Sequence, residues 1–154
     1  MSKKYDIFLS YRHSDGRLLA RLMKTSFEKE GYRVFLDEDE LMDVFSDQDV
    51  MAAIKVSTIF ILLMTHDCFI RCCYENDWIR KEMQYAVEYN KSIIPIVPNN
   101  QFYDYPSSMP SHLKEILDTY QHVAISTGQD YQECMLEIIK DKIEPIVKNR
   151  RCNI

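Results

Sequence analysis

The residues best placed to do chemistry lie in the stretch Asp77-Trp78-Ile79-Arg80-Lys81-Glu82. At helical spacing Ile79, Met83, Ala86 and Val87 share one face, while Arg80, Lys81, Gln84 and Glu88 point away. Glu82 falls at the shoulder of that apolar stripe, one turn from Trp78 and on the flank shared with Tyr85 and Tyr89. A carboxylate there is partly desolvated yet reachable, which suits a group that stabilises positive charge in a reacting substrate. Two plainer readings stay open: a solvated helix residue, or a partner for Arg12.

A second group is Tyr11-Arg12-His13, directly after an apolar run. Arg12 can form charge-assisted contacts to phosphate or pair with the acidic run Asp37-Glu38-Asp39-Glu40, and Tyr11 can pack. Phe45 and Tyr105, each in a polar stretch, can stack on a flat base or anchor their own loops.

Other chemistries are excluded. With only three glycines, Gly16, Gly31 and Gly128, the chain can hold neither a GxGxxG dinucleotide turn nor a P-loop. No GxSxG elbow surrounds Ser10, which reads as a strand-end serine. An EF-hand starting at Asp37 would place Leu41 at a ligand position and Met42 where glycine must turn. The five cysteines, Cys68, Cys72, Cys73, Cys134 and Cys152, are an odd and crowded set without the spacing of common zinc modules, even with His66 added. Free thiols and no metal are expected. A net charge of −5 argues against nucleic acid, and the longest apolar run, Ile59 to Met64, is too short to span a bilayer. A cytoplasmic protein follows.

These residues need a frame. Tyr5–Ser10, Arg33–Leu36, Thr58–Met64, Ser92–Val97 and His122–Ile125 read as strands, and Arg17–Glu30, Asp47–Val56, Asp77–Tyr89, Pro110–Tyr120 and Tyr131–Val147 as helices. Gly31 and Asn90 sit where helix C-caps belong. Alternation of this kind predicts an α/β fold, a doubly wound five-stranded parallel sheet of flavodoxin-like order 2-1-3-4-5, in a single domain over residues 1–154. Apolar strands without alternation, such as Thr58–Met64, suit a sheet covered on both faces. Ligands of such sheets bind beyond the carboxyl ends of the strands, where Ser10–His13 and the loop before Trp78 fall. A phosphotransfer receiver would share the sheet but needs acidic residues at the end of its first strand, where Ser10-Tyr11-Arg12 stands.

The run Tyr5-Asp6-Ile7-Phe8-Leu9-Ser10-Tyr11-Arg12 resembles the first signature box of TIR domains. Val34-Phe35-Leu36-Asp37 resembles the lead into their BB loop, Ala53-Ile54-Lys55-Val56-Ser57 the helix end before the third strand, and Trp78 to Glu82 their Trp-x-x-x-Glu helix start. Ser92-Ile93-Ile94-Pro95-Ile96-Val97 follows as the fourth strand, so the likeness runs in order over roughly residues 5–147. It departs in the BB loop, which usually carries a glycine and here reads Glu40-Leu41-Met42-Asp43-Val44-Phe45-Ser46-Asp47.

The likeness is to the NAD⁺-consuming branch. It implies cleavage of the nicotinamide–ribose bond as an NAD⁺ glycohydrolase or ADP-ribosyl cyclase, with Glu82 catalytic, NAD⁺ as substrate and no separate cofactor. It implies Tyr11, Arg12 and His13 at the ribose and diphosphate, Phe45 and Tyr105 at the base, and Trp78 holding the start of its helix. It also implies self-association or pairing with other TIR domains through the BB loop, and a diffusible nucleotide signal in antiphage defence. A noncatalytic TIR scaffold and a nucleoside deoxyribosyltransferase-like enzyme remain the alternatives.

Overall fold

The structure is a computed structural model and describes residues 4–36, 47–102 and 104–152. Strands β1 (Tyr5–Ser10), β2 (Val34–Leu36), β3 (Ser57–Leu63), β4 (Ser92–Pro98) and β5 (Val123–Ile125) form one sheet in the order β2-β1-β3-β4-β5. Every pairing is parallel, so the doubly wound sheet expected from the alternation of elements is the one observed. The helices are α1 (His13–Lys29), α2 (Asp47–Lys55), α3 (Trp78–Glu88), α4 (Ser111–Thr119), α5 (Tyr131–Ile138) and α6 (Glu144–Cys152), the last two joined by a π-helical turn over Ile139–Ile143. Among the described residues no helix is long and apolar enough to cross a membrane.

Strand β3 shows why the sheet needs helices on both faces. Ile59, Ile61 and Leu63 pack with Ala20, Met23 and Phe27 of α1 and with Tyr131 and Met135 of α5. The alternate residues Phe60 and Leu62 pack with Ile54 of α2, Ile79 and Met83 of α3 and Leu113 of α4. Side chains of a strand alternate between faces, so a central strand buried on both must be apolar throughout.

Both expected C-caps are present. Gly31 (φ 91°) and Asn90 (φ 56°) adopt left-handed backbone just past α1 and α3. Around Asn90 the N–H of Lys91 donates to the carbonyl of Ala86 and that of Asn90 to Val87, and the same pattern at α1 joins Tyr32 to Phe27 and Gly31 to Glu28. These are Schellman ends, and they aim the chain directly into β2 and β4.

Three features differ from expectation. Helix α1 starts at His13 rather than Arg17, because Asp15 is held in helical geometry from outside: its carboxylate accepts from Thr65 Oγ1 at 2.7 Å and from the Asp67 N–H at 2.8 Å. Ser14-Asp15-Gly16 reads locally as a turn, and tertiary bonds override it. The C-terminal helical stretch runs through the π turn to Cys152 instead of ending at Val147. Val87, expected in the core, is 40 % exposed, since the buried face of α3 is Ile79, Glu82, Met83 and Ala86 and Val87 lies one residue past it.

Candidate active site

Strand β1 ends at Ser10, and α1 begins three residues later, so Tyr11, Arg12 and His13 cross the carboxyl edge of the sheet. Helix α3 approaches the same edge from the opposite face. Its cap is Asp77, whose carboxylate accepts from the Arg80 N–H at 3.2 Å. Five residues on, Glu82 is turned toward the strand end and is only 5 % exposed. There the buried hydroxyl of Ser10 donates to its Oε1 at 2.7 Å. Such a bond satisfies a carboxylate that burial would otherwise penalise.

Arg12 pairs with Asp77 rather than with Glu82. Its Nη1 lies 2.7 Å from Oδ1 and its Nη2 3.1 Å from Oδ2, while Nε and Nη2 donate to the Cys68 carbonyl at 3.1 and 2.8 Å. Burial opposes the charge on each partner, but the bidentate bond and the opposite charge outweigh it. Arg12 is therefore held above its ordinary pKa and Asp77 below that of an ordinary carboxylate. The pair bolts the end of β1 to the loop before α3 and to the cap of α3 itself. It positions Glu82 without touching it.

Between α1 and the start of α3 opens a pocket of about 770 Å³, within the range typical of ligand sites. It brings together Tyr11, Arg12, His13, Trp78 and Glu82. Tyr11 is buried with its ring 4.7 Å from that of His13, and Trp78 is 40 % exposed with Lys81 Nζ 5.3 Å from its ring centre. A smaller hollow of about 170 Å³ adjoins it at Arg71, Asn76 and Trp78. Tyr105 lies outside this lining. It packs against Phe102 and Phe69, with ring centres at 5.0 and 5.9 Å, and its hydroxyl donates to Asp118 at 3.3 Å. Burial, then the Asp118 charge and bond, push its phenol up to about 12. Phe45 lies outside the described residues.

Two of the thiols, Cys68 and Cys72, serve the frame. Cys68 and Cys72 are buried, and burial raises both pKa values well above that of a free cysteine. The Cys72 thiol donates to Asp77 Oδ2 at 3.4 Å. Among the described residues no group of three or more His, Cys, Asp or Glu is placed to hold a metal ion.

Sequence reasoning missed Ser10 as a partner of Glu82, Asp77 as the partner of Arg12, and Arg17, Arg21 and Arg71 in the pocket lining. Only the arginines on α1 left a readable sign, since residues four apart on a helix share a face.

The chain belongs to the TIR domain family, whose model matches residues 7–139. It is 32 % identical over 144 residues to the NAD(+) hydrolase tir-1 of Caenorhabditis elegans, covering 91 % of this chain and 14 % of that protein. It is 30 % identical over 155 residues to the NAD(+) hydrolase sarm1 of Drosophila melanogaster, covering 98 % of this chain and 11 % of that protein. The chain thus spans a small part of the length of these relatives. Among solved structures, the TIR domains of the activated Roq1 resistosome superpose with a TM-score of 0.62 at 17 % identity, covering 90 % of this chain and 99 % of that one. At that identity the likeness speaks for the fold alone.

Proposed function

We propose that the pocket binds NAD⁺ and that Glu82 stabilises the ribose as nicotinamide departs. The observation that carries this reading is a carboxylate held almost out of water by Ser10 yet lining an open pocket at the carboxyl edge of the sheet. The bond between ribose C1′ and the pyridinium nitrogen breaks, and its electron pair leaves with nicotinamide, which departs neutral. No strong general acid is needed. Positive charge then rests on the ribose ring, and a nearby desolvated carboxylate lowers the energy of that state.

Trp78 and Tyr11 supply flat walls beside the reacting sugar, and His13 and Arg71 face the diphosphate. Arg12, tied to Asp77, keeps the two walls in register. The names of the relatives support NAD⁺ as the substrate. Water attacking C1′ gives ADP-ribose and a proton, the adenine ring gives a cyclic isomer, and another nucleophile gives a conjugate. Use of the product as a signal in antiphage defence rests on the family resemblance alone.

Exposed apolar side chains at the pocket mouth, Leu18 at 81 % and Ile70 at 56 %, support association of a second TIR domain over the opening. The test is incubation of the purified protein with NAD⁺ and identification of every adenine-containing product by mass spectrometry. Nicotinamide with ADP-ribose or a cyclic isomer is expected. Intact NAD⁺ at high protein concentration would favour a scaffold, and cleavage of deoxynucleosides in its place a deoxyribosyltransferase.

A further inference from the structure

Helix α1 begins without a side-chain cap. The residue at its N-cap is Arg12, which makes no cap bond and sends its guanidinium to Asp77 and the Cys68 carbonyl instead. An uncapped first turn frays unless something else holds it. Asp15 holds it from outside: its Oδ1 accepts from Thr65 Oγ1 at 2.7 Å and its Oδ2 from the Asp67 N–H at 2.8 Å.

Thr65 and Asp67 stand in the turn that follows β3, and that turn runs on to the pocket. The N–H of Cys68 donates to the Thr65 carbonyl at 3.1 Å and that of Ile70 to the Asp67 carbonyl at 3.2 Å, so the hold of Asp15 reaches Ile70 and Arg71 of the lining. On the other side of the pocket, His13 and Ser14 belong to the same first turn as Asp15. The carboxylate therefore ties one wall to the other. Arg12 makes a separate tie between these segments through the Cys68 carbonyl.

The packing is close at this point. A β-carbon on Gly16 would lie 3.6 Å from Cγ2 of Thr65 and 3.5 Å from Cβ of Tyr11, so the backbone of the first turn rests on the end of β3. Thr65 is 1 % exposed, with its methyl group toward Gly16 and its hydroxyl on Asp15. Asp15 itself is exposed, so a carboxylate oxygen released by Thr65 is rehydrated and the fold as a whole loses little. What is lost is the fixed relation of the two walls.

We propose that Asp15 is a positioning residue: through Thr65 and the Asp67 N–H it preorganises the two walls, and so sets the affinity of the pocket while the bond-breaking step stays with Glu82. The inference rests on the reading of Glu82 given above and adds a residue that stands outside the described lining. A ligand that must restore the walls before it binds gives up part of its affinity in doing so, whereas the complex once formed is the same.

The experiment uses Thr65→Val, which keeps the shape but removes the donor, Thr65→Ser, which keeps the donor, and Asp15→Ala, which removes both bonds. KM for NAD⁺ should rise about 5-fold in Thr65→Val, the scale expected when about a fifth of the molecules hold the competent arrangement, and further in Asp15→Ala. In both, kcat should stay within about twofold of the wild type, and Thr65→Ser should keep a KM near the wild-type value. A purely structural role gives the opposite split, because a less stable protein loses active molecules, and hence kcat, at unchanged KM. Unchanged KM in Thr65→Val and Asp15→Ala, or a loss confined to kcat, would overturn the proposal.

Hydrogen exchange reads the clamp without any nucleotide. In Asp15→Ala the amides of Gly16, Asp67, Cys68 and Ile70 should exchange at least about 5-fold faster than in the wild type, while those in the middle of α1 keep their rates. Local acceleration in a protein whose wild type releases no nicotinamide would support the clamp and sink the cleavage reading. Exchange that is unchanged, or faster everywhere alike, would overturn the clamp whatever the activity.

Discussion

The Ser10 hydroxyl donates to Oε1 of Glu82 across 2.7 Å and so links the last residue of β1 to the second turn of α3. Both groups are buried, and the bond spans 72 residues of chain. Hydrogen bonds to charged groups contribute about 1.5–3 kcal/mol, and one that orients a carboxylate acts on the rate. Ser10→Ala should therefore lower kcat for NAD⁺ cleavage by about 10-fold or more with little change in KM, and Ser10→Thr should restore part of it. Steady-state kinetics on the three proteins would decide, and wild-type turnover by Ser10→Ala would reduce the hydroxyl to a packing role.

The Arg12–Asp77 pair gives a pH signature. Asp77 has its pKa lowered from 3.8 in the folded protein, so its pairing stabilises the fold fully above that value, and the contribution is lost as the pH falls through the folded pKa. The gap in Tm between wild type and Asp77→Asn should be widest near neutral pH and close below about pH 4. Arg12→Ala should be worse than Asp77→Asn at neutral pH, costing about 3–5 kcal/mol, because it strands a carboxylate whose side chain is 3 % exposed. Melting curves from pH 2 to 7 test both, and a gap independent of pH would show that the charge on Asp77 does not matter.

Helix α3 was readable because its periodicity is local: Ile79, Met83 and Ala86 mark the core, and Glu82 falls beside them. The caps at Gly31 and Asn90 were readable for the same reason. What could not be read was non-local. Nothing near Arg12 points to Asp77, 65 residues away, and nothing near Ser10 points to Glu82. The early start of α1 depends on bonds from Asp15 to Thr65 and Asp67, which local propensity does not contain. An Arg17/Arg21 pair on an amphipathic helix looks like an ordinary solvated face until the pocket beside it is seen.

Tyr105, which the family resemblance implies at the base, packs its ring against Phe69 and Phe102, as the alternative of a loop anchor has it. Tyr105→Leu should leave KM for NAD⁺ within about twofold while costing about 0.5–1.5 kcal/mol of stability for the lost ring contacts. A several-fold rise in KM without loss of stability would return Tyr105 to the base-binding role. Phe45→Leu, assayed in parallel, tests the other aromatic position of that expectation.

Assembly makes a separate prediction. If a second TIR domain completes the site over the apolar mouth at Leu18 and Ile70, association follows mass action, and specific activity should rise with protein concentration or crowding. A dilution series of NAD⁺ cleavage run beside sedimentation checks this. Constant specific activity in a strictly monomeric protein would mean that the pocket is complete within one chain.

The role of Glu82 is tested most directly by one substitution. Glu82→Gln keeps the shape and an acceptor for Ser10 but removes the charge that would face the ribose. NAD⁺ cleavage by this variant, with circular dichroism and Tm matching the wild type, should fall at least ~100-fold, the scale lost when one strong transition-state electrostatic partner is removed. Near-wild-type nicotinamide release from a folded Glu82→Gln protein would contradict it.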